Sequence, residues 1–489
     1  MSSLNEKATR GLVWSVCERF GQQGVSFLVQ LVLARLLSPE EFGLIAMVVV
    51  FIALARGVID AGFHEALIQK SELDDLLTST TFYCNLLLSG IMVWLMFVAA
   101  PWISAFYDQP DLVPIIKALS FVLIVSAFSR VQTSLMQRDL RFKELAISTL
   151  AASLVSGVLA AYLAFRGFGV WSLVVQTLSM NVLLSVMLWV QSGWRPQFIF
   201  SLKSLKEILP FASSMFASNI LNNFFQQLYV LLIGRIGNPM ELGYYQRADS
   251  FKRLATTTSN TLMARITFPI FAKVQNDPER LSRGFVKASR LLVFLFFPFM
   301  AVLAAVAEPL VITLIGEKWL PTVPYLQFLC VVGALHPVQA INLNVIKALG
   351  AGGLFLRLEL IKKGLIVVVL LITYSHGIYA IVIGQVICSF FALMVNGFYT
   401  ERLIGVGYWQ QFKLYKGALL LSLFVALSVA TVLGLFNFIA PLRLVAGLAL
   451  SAFFGLIGLW FGRKAFEMEL KWIRSMCASL PIGGRILSN

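Results

Sequence analysis

Gly234-Arg235-Ile236-Gly237-Asn238-Pro239-Met240-Glu241-Leu242-Gly243 follows Ala34-Arg35-Leu36-Leu37-Ser38-Pro39-Glu40-Glu41-Phe42-Gly43 at a distance of about 200 residues. Arg, Pro, Glu and Gly coincide between the two stretches without a gap. The flanking segments match in kind: Gln22 and Gln23 stand opposite Asn222 and Asn223. Further along, Gly169-Val170-Trp171 is echoed by Gly377-Ile378-Tyr379, and Leu112-Val113-Pro114 by Thr322-Val323-Pro324. These correspondences define an internal repeat, and each copy is expected to hold an even number of spans. Two copies of the same orientation are related by an axis along the membrane normal, an arrangement common among transporters.

The repeat sits in a very apolar chain. Of 489 residues, 58% are hydrophobic and 13% charged, and the mean hydropathy is +0.83. A soluble protein could not bury that much apolar surface. Apolar runs long enough to cross a bilayer recur throughout. The expectation is an all-α polytopic membrane protein with about fourteen spans, near residues 11–36, 42–67, 78–104, 112–136, 144–165, 170–191, 208–234, 241–270, 287–315, 322–349, 355–375, 377–400, 413–436 and 440–462. Residues 1–200 form a first lobe with six spans and a connecting segment, and 201–400 a second. Two further spans occupy 401–464, and 465–489 is a tail suited to lie on the inner membrane surface. The connection from Gln191 to Glu207 is long enough for a short amphipathic segment.

The net charge of +15 is a topology signal and gives no support to a nucleic-acid partner. Basic residues crowd alternate connections, as in Arg138/Arg141/Lys143 and Lys273/Arg280/Arg283/Lys287/Arg290, and are sparse in the others. By the positive-inside rule both termini are cytoplasmic. No cleavable signal peptide is visible at Met1–Arg10. Cys17, Cys84, Cys330, Cys388 and Cys477 lack paired spacing, and His64, His336 and His376 are far apart, so no disulfide framework, metal site or cofactor is expected.

Immediately after the second repeat turn, the stretch Tyr244–Pro269 is long enough to cross a bilayer yet holds five charged residues. On a helix, Asp249, Lys252, Arg253, Thr256, Asn260 and Thr267 share one face. Each central charge facing lipid would cost roughly 2.5–3.5 kcal/mol, so the face must meet protein or a water-filled cavity. Repeat alignment places Arg56 opposite Thr256, Asp60 opposite Asn260 and Glu65 opposite Arg265. The candidate cationic lining is Arg56, Arg130, Arg247, Lys252, Arg253 and Arg265, with Asn222, Asn223, Gln226 and Asn260 as polar lining. Such arginines and lysines suit a diphosphate through charge-assisted hydrogen bonds. Two other readings stay open: snorkelling for Arg247 and Arg265, and interhelical hydrogen bonding for the amides. No phosphate loop, carboxylate pair or nucleophile–base set is present, and the external loops are short. A transporter is expected, not an enzyme.

Several short motifs then carry a family resemblance. Ala34-Arg35 through Phe42-Gly43, Asp60-Ala61-Gly62-Phe63, Leu135-Met136-Gln137-Arg138, Phe268-Pro269-Ile270-Phe271 and Gly316-Glu317-Lys318-Trp319 resemble the Wzx-type polysaccharide flippases, colanic-acid-like, of the MATE-like superfamily. The resemblance implies a MATE-like transporter fold in the bacterial inner membrane. It implies flipping of undecaprenyl-diphosphate-linked oligosaccharide repeat units by alternating access, for exopolysaccharide or lipopolysaccharide biosynthesis. Membrane lipids and polysaccharide polymerase machinery are the implied partners, with a proton or sodium ion for coupling. Asp60 and Glu18 are the coupling candidates, although a plain salt bridge to Arg56 is an equal reading of Asp60. A lipid II-type flippase is the alternative within the fold. A multidrug exporter calls for an acidic lumen, and a membrane polymerase for larger external loops.

Overall fold

The computed structural model describes residues 21–60, 67, 74–263, 267–435, 439–462, 466, 467 and 469; within these, the side chains at 60, 204, 207–219, 221, 222, 255, 258, 261, 262 and 461 are left aside. Every regular element among the described residues is helical. In order these are α1 (21–36), α2 (Pro39–Asp60), α3 (Asp75–Tyr107), α4 (Leu112–Arg138), α5 (Phe142–Phe165), α6 (Val170–Ser192), α7 (Leu202–Ile236) and α8 (Pro239–Leu262). There follow α9 (Phe268–Lys273), α10 (Pro278–Ala305), α11 (Ala307–Ile315), α12 (Thr322–Ala348), α13 (Gly352–Thr373), α14 (Gly377–Ile404), α15 (Tyr408–Leu435) and α16 (Ala440–Phe461).

Among the described residues, 10 stretches are long and apolar enough to cross a membrane, one of them running through both α13 and α14. α8 is not among them because its composition is polar: it carries Glu241, Arg247, Asp249, Lys252 and Arg253. A further expected span also differs. The segment near 287–315 is α10, which begins earlier at Pro278, followed by the separate short α11.

The repeat motif is now explained residue by residue at the helix starts. Pro39 and Pro239 each open a helix, where a missing N–H costs nothing. In the first copy the Glu41 backbone N–H donates to Ser38 Oγ at 3.3 Å, and the Ser38 N–H donates to Glu41 Oε2 at 2.6 Å. In the second, the Glu241 N–H donates to Asn238 Oδ1 at 2.8 Å and the Asn238 N–H to Glu241 Oε2 at 3.3 Å. Both are reciprocal capping boxes. The glutamate is shared because it closes the box, and Ser or Asn serves equally at its other corner.

The chain divides into two compact units, Met1–Gln246 and Arg247–Asn489. The division falls inside α8, away from the repeat junction near 200, because α7 packs along α2 and α3. Compactness thus groups α7 with the first copy, whereas sequence similarity groups it with the second. In the first unit α3 packs along α4, and both α4 and α5 along α6. α5 buries Ser148, Thr149, Ala152, Ser153, Ser156, Gly157, Ala160 and Ala164, leaving Leu154, Val155, Val158 and Phe165 exposed. Small residues inside and large apolar residues outside are what lipid-embedded helices require. In the second unit α10 packs along α12 and α15, α12 along α14, and α15 along α16.

Gly193 to Ser201 joins α6 to α7 as non-helical chain where an amphipathic segment was expected. Its backbone is tied to the first turns of α3: Gln197 N–H donates to Ser79 Oγ at 3.0 Å and Ser201 N–H to Thr80 Oγ1 at 3.1 Å. Fixed backbone partners make a helix there unnecessary. Most of the C-terminal tail lies outside the described residues. Of those described, Phe466 packs on Phe294 with ring centroids 5.2 Å apart, and Glu469 receives Arg290 at 2.6 and 3.1 Å.

Candidate substrate-binding site

In the second unit the chemistry gathers on α8. Asp249 is buried and pairs with two cations of its own helix, Lys252 Nζ and Arg253 Nη2, each at 2.5 Å. The i, i+3 and i, i+4 spacings put all three on one face. A buried carboxylate needs such partners, because an uncompensated charge at low dielectric costs several kcal/mol. The group carries a formal charge of +1, and Arg253 presents most of it, being 58% exposed while Lys252 is 16% exposed. A methyl group on Gly333 would come within 3.1 Å of Lys252 Cγ and would also crowd Met300. The lysine stem is therefore packed against α12 and α10, and its ammonium is held in place. Beyond it on α8, Thr257 Oγ1 donates to the Arg253 carbonyl, and Asn260 is exposed.

Arg247 occupies different surroundings. It is buried, with its guanidinium 5.4 Å from the centre of the Trp319 ring. A cation over an indole face is stabilised by the ring quadrupole. This contact also accounts for Trp319 in the Gly316-Glu317-Lys318-Trp319 motif, which is fully buried.

In the first unit Arg56 Nη2 donates to Asn181 Oδ1 of α6 at 3.4 Å, and Asn181 in turn donates to the Thr177 carbonyl at 2.7 Å. One turn nearer the start of α6, Gln176 Oε1 accepts from Gln30 of α1 at 3.5 Å. α6 therefore supplies two amides, Gln176 and Asn181, that the sequence reading did not single out. Their signal was present as two of the three amide side chains in the apolar run Val170–Ser192, the third being Gln191 near its end. Arg130 is half-buried on α4. Asn223 packs against α2, where a methyl on Gly57 would lie 2.8 Å from its Nδ2, while Gln226 is exposed. Glu18 and Arg265 lie outside the described residues, as do the side chains of Asp60 and Asn222.

The second unit also contains a cavity of about 520 Å³ among α10, α12, α14 and α15, with a lining that is almost wholly apolar. Phe297, Met300, Leu393, Phe412 and Leu423 form much of its wall, and no charged residue lines it.

These helices build a multi-pass membrane protein whose fold is of the MATE-like type. Among solved structures, the lipid II flippase MurJ in an inward closed conformation aligns with a TM-score of 0.72, covering 93% of this chain and 99% of that one at 13% identity. An inward-facing multidrug MATE transporter aligns with a TM-score of 0.61 over 80% of this chain and 98% of its own at 17% identity. At such identities the likeness is one of fold. The sequence goes further: residues 32–324 match the family described as polysaccharide biosynthesis protein, and the chain belongs to that family. It is similar to the lipopolysaccharide biosynthesis protein WzxC of Escherichia coli (strain K12), 30% identical over 69% of each chain. It is also similar to the succinoglycan biosynthesis transport protein ExoT of Rhizobium meliloti (strain 1021), 28% identical over 74% of this chain and 73% of that one.

Proposed function

We propose that the chain flips undecaprenyl-diphosphate-linked oligosaccharide repeat units from the cytoplasmic to the outer leaflet of the bacterial inner membrane, with both termini in the cytoplasm. The observation that carries this reading is the clamp on α8, where buried Asp249 holds Lys252 and Arg253 on one face. A diphosphate is the anion this spacing suits: the guanidinium grips two oxygens bidentately and the ammonium adds a point charge. Arg56 and Arg130 form the grip of the first copy, and Asn223, Gln226 and Asn260, with Gln176 and Asn181 added, meet sugar hydroxyls. Asp60 and Glu18 couple transport to a proton or sodium gradient. The large apolar cavity of the second unit, free of charged lining, suits hydrocarbon and not a headgroup.

The test is depletion of the protein in a polysaccharide-producing cell, with lipid-linked intermediates counted on each leaflet. Completed repeat units should accumulate on the cytoplasmic leaflet and surface polysaccharide should disappear. Accumulation of cell-wall precursor in their place identifies a lipid II-type flippase, and no accumulation of either removes the flippase reading.

A further inference from the structure

The chain beyond the last membrane helix was expected to lie on the inner membrane surface, yet two of its described residues, Phe466 and Glu469, are buried in the second unit. The Phe466 backbone N–H donates to the Gly462 carbonyl at 3.1 Å, a turn that folds the chain back at the end of α16. The Phe466 ring then enters a slot between three helices. A methyl group on Gly462 would stand 2.9 Å from the ring, and one on Gly417 of α15 would stand 3.4 Å from it. Phe294 of α10 packs on the remaining side, 5.2 Å between ring centroids. Three residues on, Glu469 receives Arg290 of α10 at two points, from Nε at 2.6 Å and from Nη2 at 3.1 Å. The glutamate side chain is only 4% exposed. A tail lying on a surface would leave its acid in water. A buried carboxylate needs a fixed partner, and a two-point guanidinium contact fixes direction as well as distance.

This latch stands behind α15. Gly417 lies about 200° round the helix from Tyr415, so it faces away from the side that Gln411, Tyr415, Leu419 and Ser422 present to the apolar cavity. That cavity is a groove open to lipid, because Phe412, Leu423 and Leu427 on its wall are exposed. On the groove side, α15 is tied to α12: Asn342 Nδ2 donates to Gln411 Oε1 at 3.0 Å and Gln411 Nε2 donates to Asn342 Oδ1 at 2.9 Å. The first turns of α15 are thus held from two opposite sides. Phe466 and Phe294 share one apolar cluster with Phe297, Leu335, Leu393 and Tyr415, which line the groove. A groove of about 520 Å³ left empty forfeits packing contacts, and the rear hold opposes the collapse of α15 into it.

We propose that Phe466 and Glu469 position α15: the Arg290–Glu469 catch holds the start of that helix back on α10 and keeps the apolar groove wide enough for a hydrocarbon chain. Both are positioning residues, since neither lines the groove. That the groove takes the hydrocarbon of the cargo rests on the function proposed above; the width set by the catch does not.

In a cysteine-free background a single cysteine at Ala334, on the groove wall, is labelled in membranes with a lipid-soluble pyrene maleimide. Glu469→Gln and Arg290→Ala should each lower the labelling rate several-fold, because α15 moves onto α12. The exchanged pair, Arg290→Glu with Glu469→Arg, should restore it. Arg283→Ala, which removes an exposed pair on the same helix, should leave it unchanged. Phe466→Leu keeps the catch intact and should lower the rate to a smaller extent, which keeps the test open if a charge variant fails to assemble. A rate unaltered by loss of the catch, lowered equally by Arg283→Ala, or left low by the exchange overturns the proposal. Labelling needs no cargo, so its outcome stands whichever lipid-linked sugar is carried. Export by the same variants should fall in step with labelling. Normal export with slowed labelling would uphold the catch and remove the cargo's hydrocarbon from the groove.

Discussion

α2 and α8 begin alike and then diverge. Each opens with a proline, a capping box closed by glutamate, and a glycine pressed on the other helix. Past that point α2 is apolar, and its Arg56 donates to a neutral amide on a neighbouring helix. α8 is polar, and two of its cations, Lys252 and Arg253, are held by its own Asp249. Backbone requirements at the turn are the same in both copies, so the turn residues agree. The middles of the helices answer to different chemistry, and there the copies share only a position. A cation that depends on another helix is sensitive to movement between helices. A self-contained clamp keeps its geometry while the helix moves.

The largest expected effect tests whether both cations are needed. Arg253→Ala and Arg56→Ala should each abolish polysaccharide export while the protein remains in the membrane at normal abundance. Normal export from both single variants would remove the cationic grip. Asp249→Asn should come next. It leaves two adjacent cations without their carboxylate and should destabilise the second unit by about 3 kcal/mol, read as a lowered melting temperature in detergent. Arg56→Ala, which removes the hydrogen bond to Asn181 on α6, should shift the melting temperature much less. Equal shifts would mean that the two arrangements are electrostatically equivalent.

Cap removal then tests the similarity. Ser38→Ala and Asn238→Ala should each cost about 1 kcal/mol, and a large inequality would show that the two boxes carry different loads. The smallest stability change is expected from Asp108→Asn, whose exposed pair with Arg235 contributes less than about 1 kcal/mol. Asp60→Asn is a separate probe of coupling: transport measured against an imposed gradient should become insensitive to it. An unchanged gradient dependence would remove Asp60 from the mechanism.

Much of the fold was legible because lipid imposes simple rules. Helix starts such as Leu112, Val170, Thr322 and Gly377 fall where repeat motifs and apolar runs placed them. The clamp was half legible. Periodicity put Asp249, Lys252 and Arg253 on one face, but the carboxylate's role as their common anchor emerged only from its burial. Arg247 shows the limit of pattern reading, because its aromatic partner Trp319 lies 72 residues further along the chain (319 − 247). The amides of α6 were overlooked for the same reason: a lone Asn in an apolar run gains meaning only when Arg56 is seen beside it.

By itself, the sequence determined a helical membrane protein with a duplicated plan, because bilayer thickness, backbone satisfaction and helix capping are local or periodic constraints written in consecutive residues. Only the tertiary structure decided which glycines meet a distant backbone, which face of α6 meets Arg56, and that compactness divides the chain within α8. These depend on contacts between residues far apart in the chain, and no spacing rule along the chain encodes which distant backbone a glycine will meet.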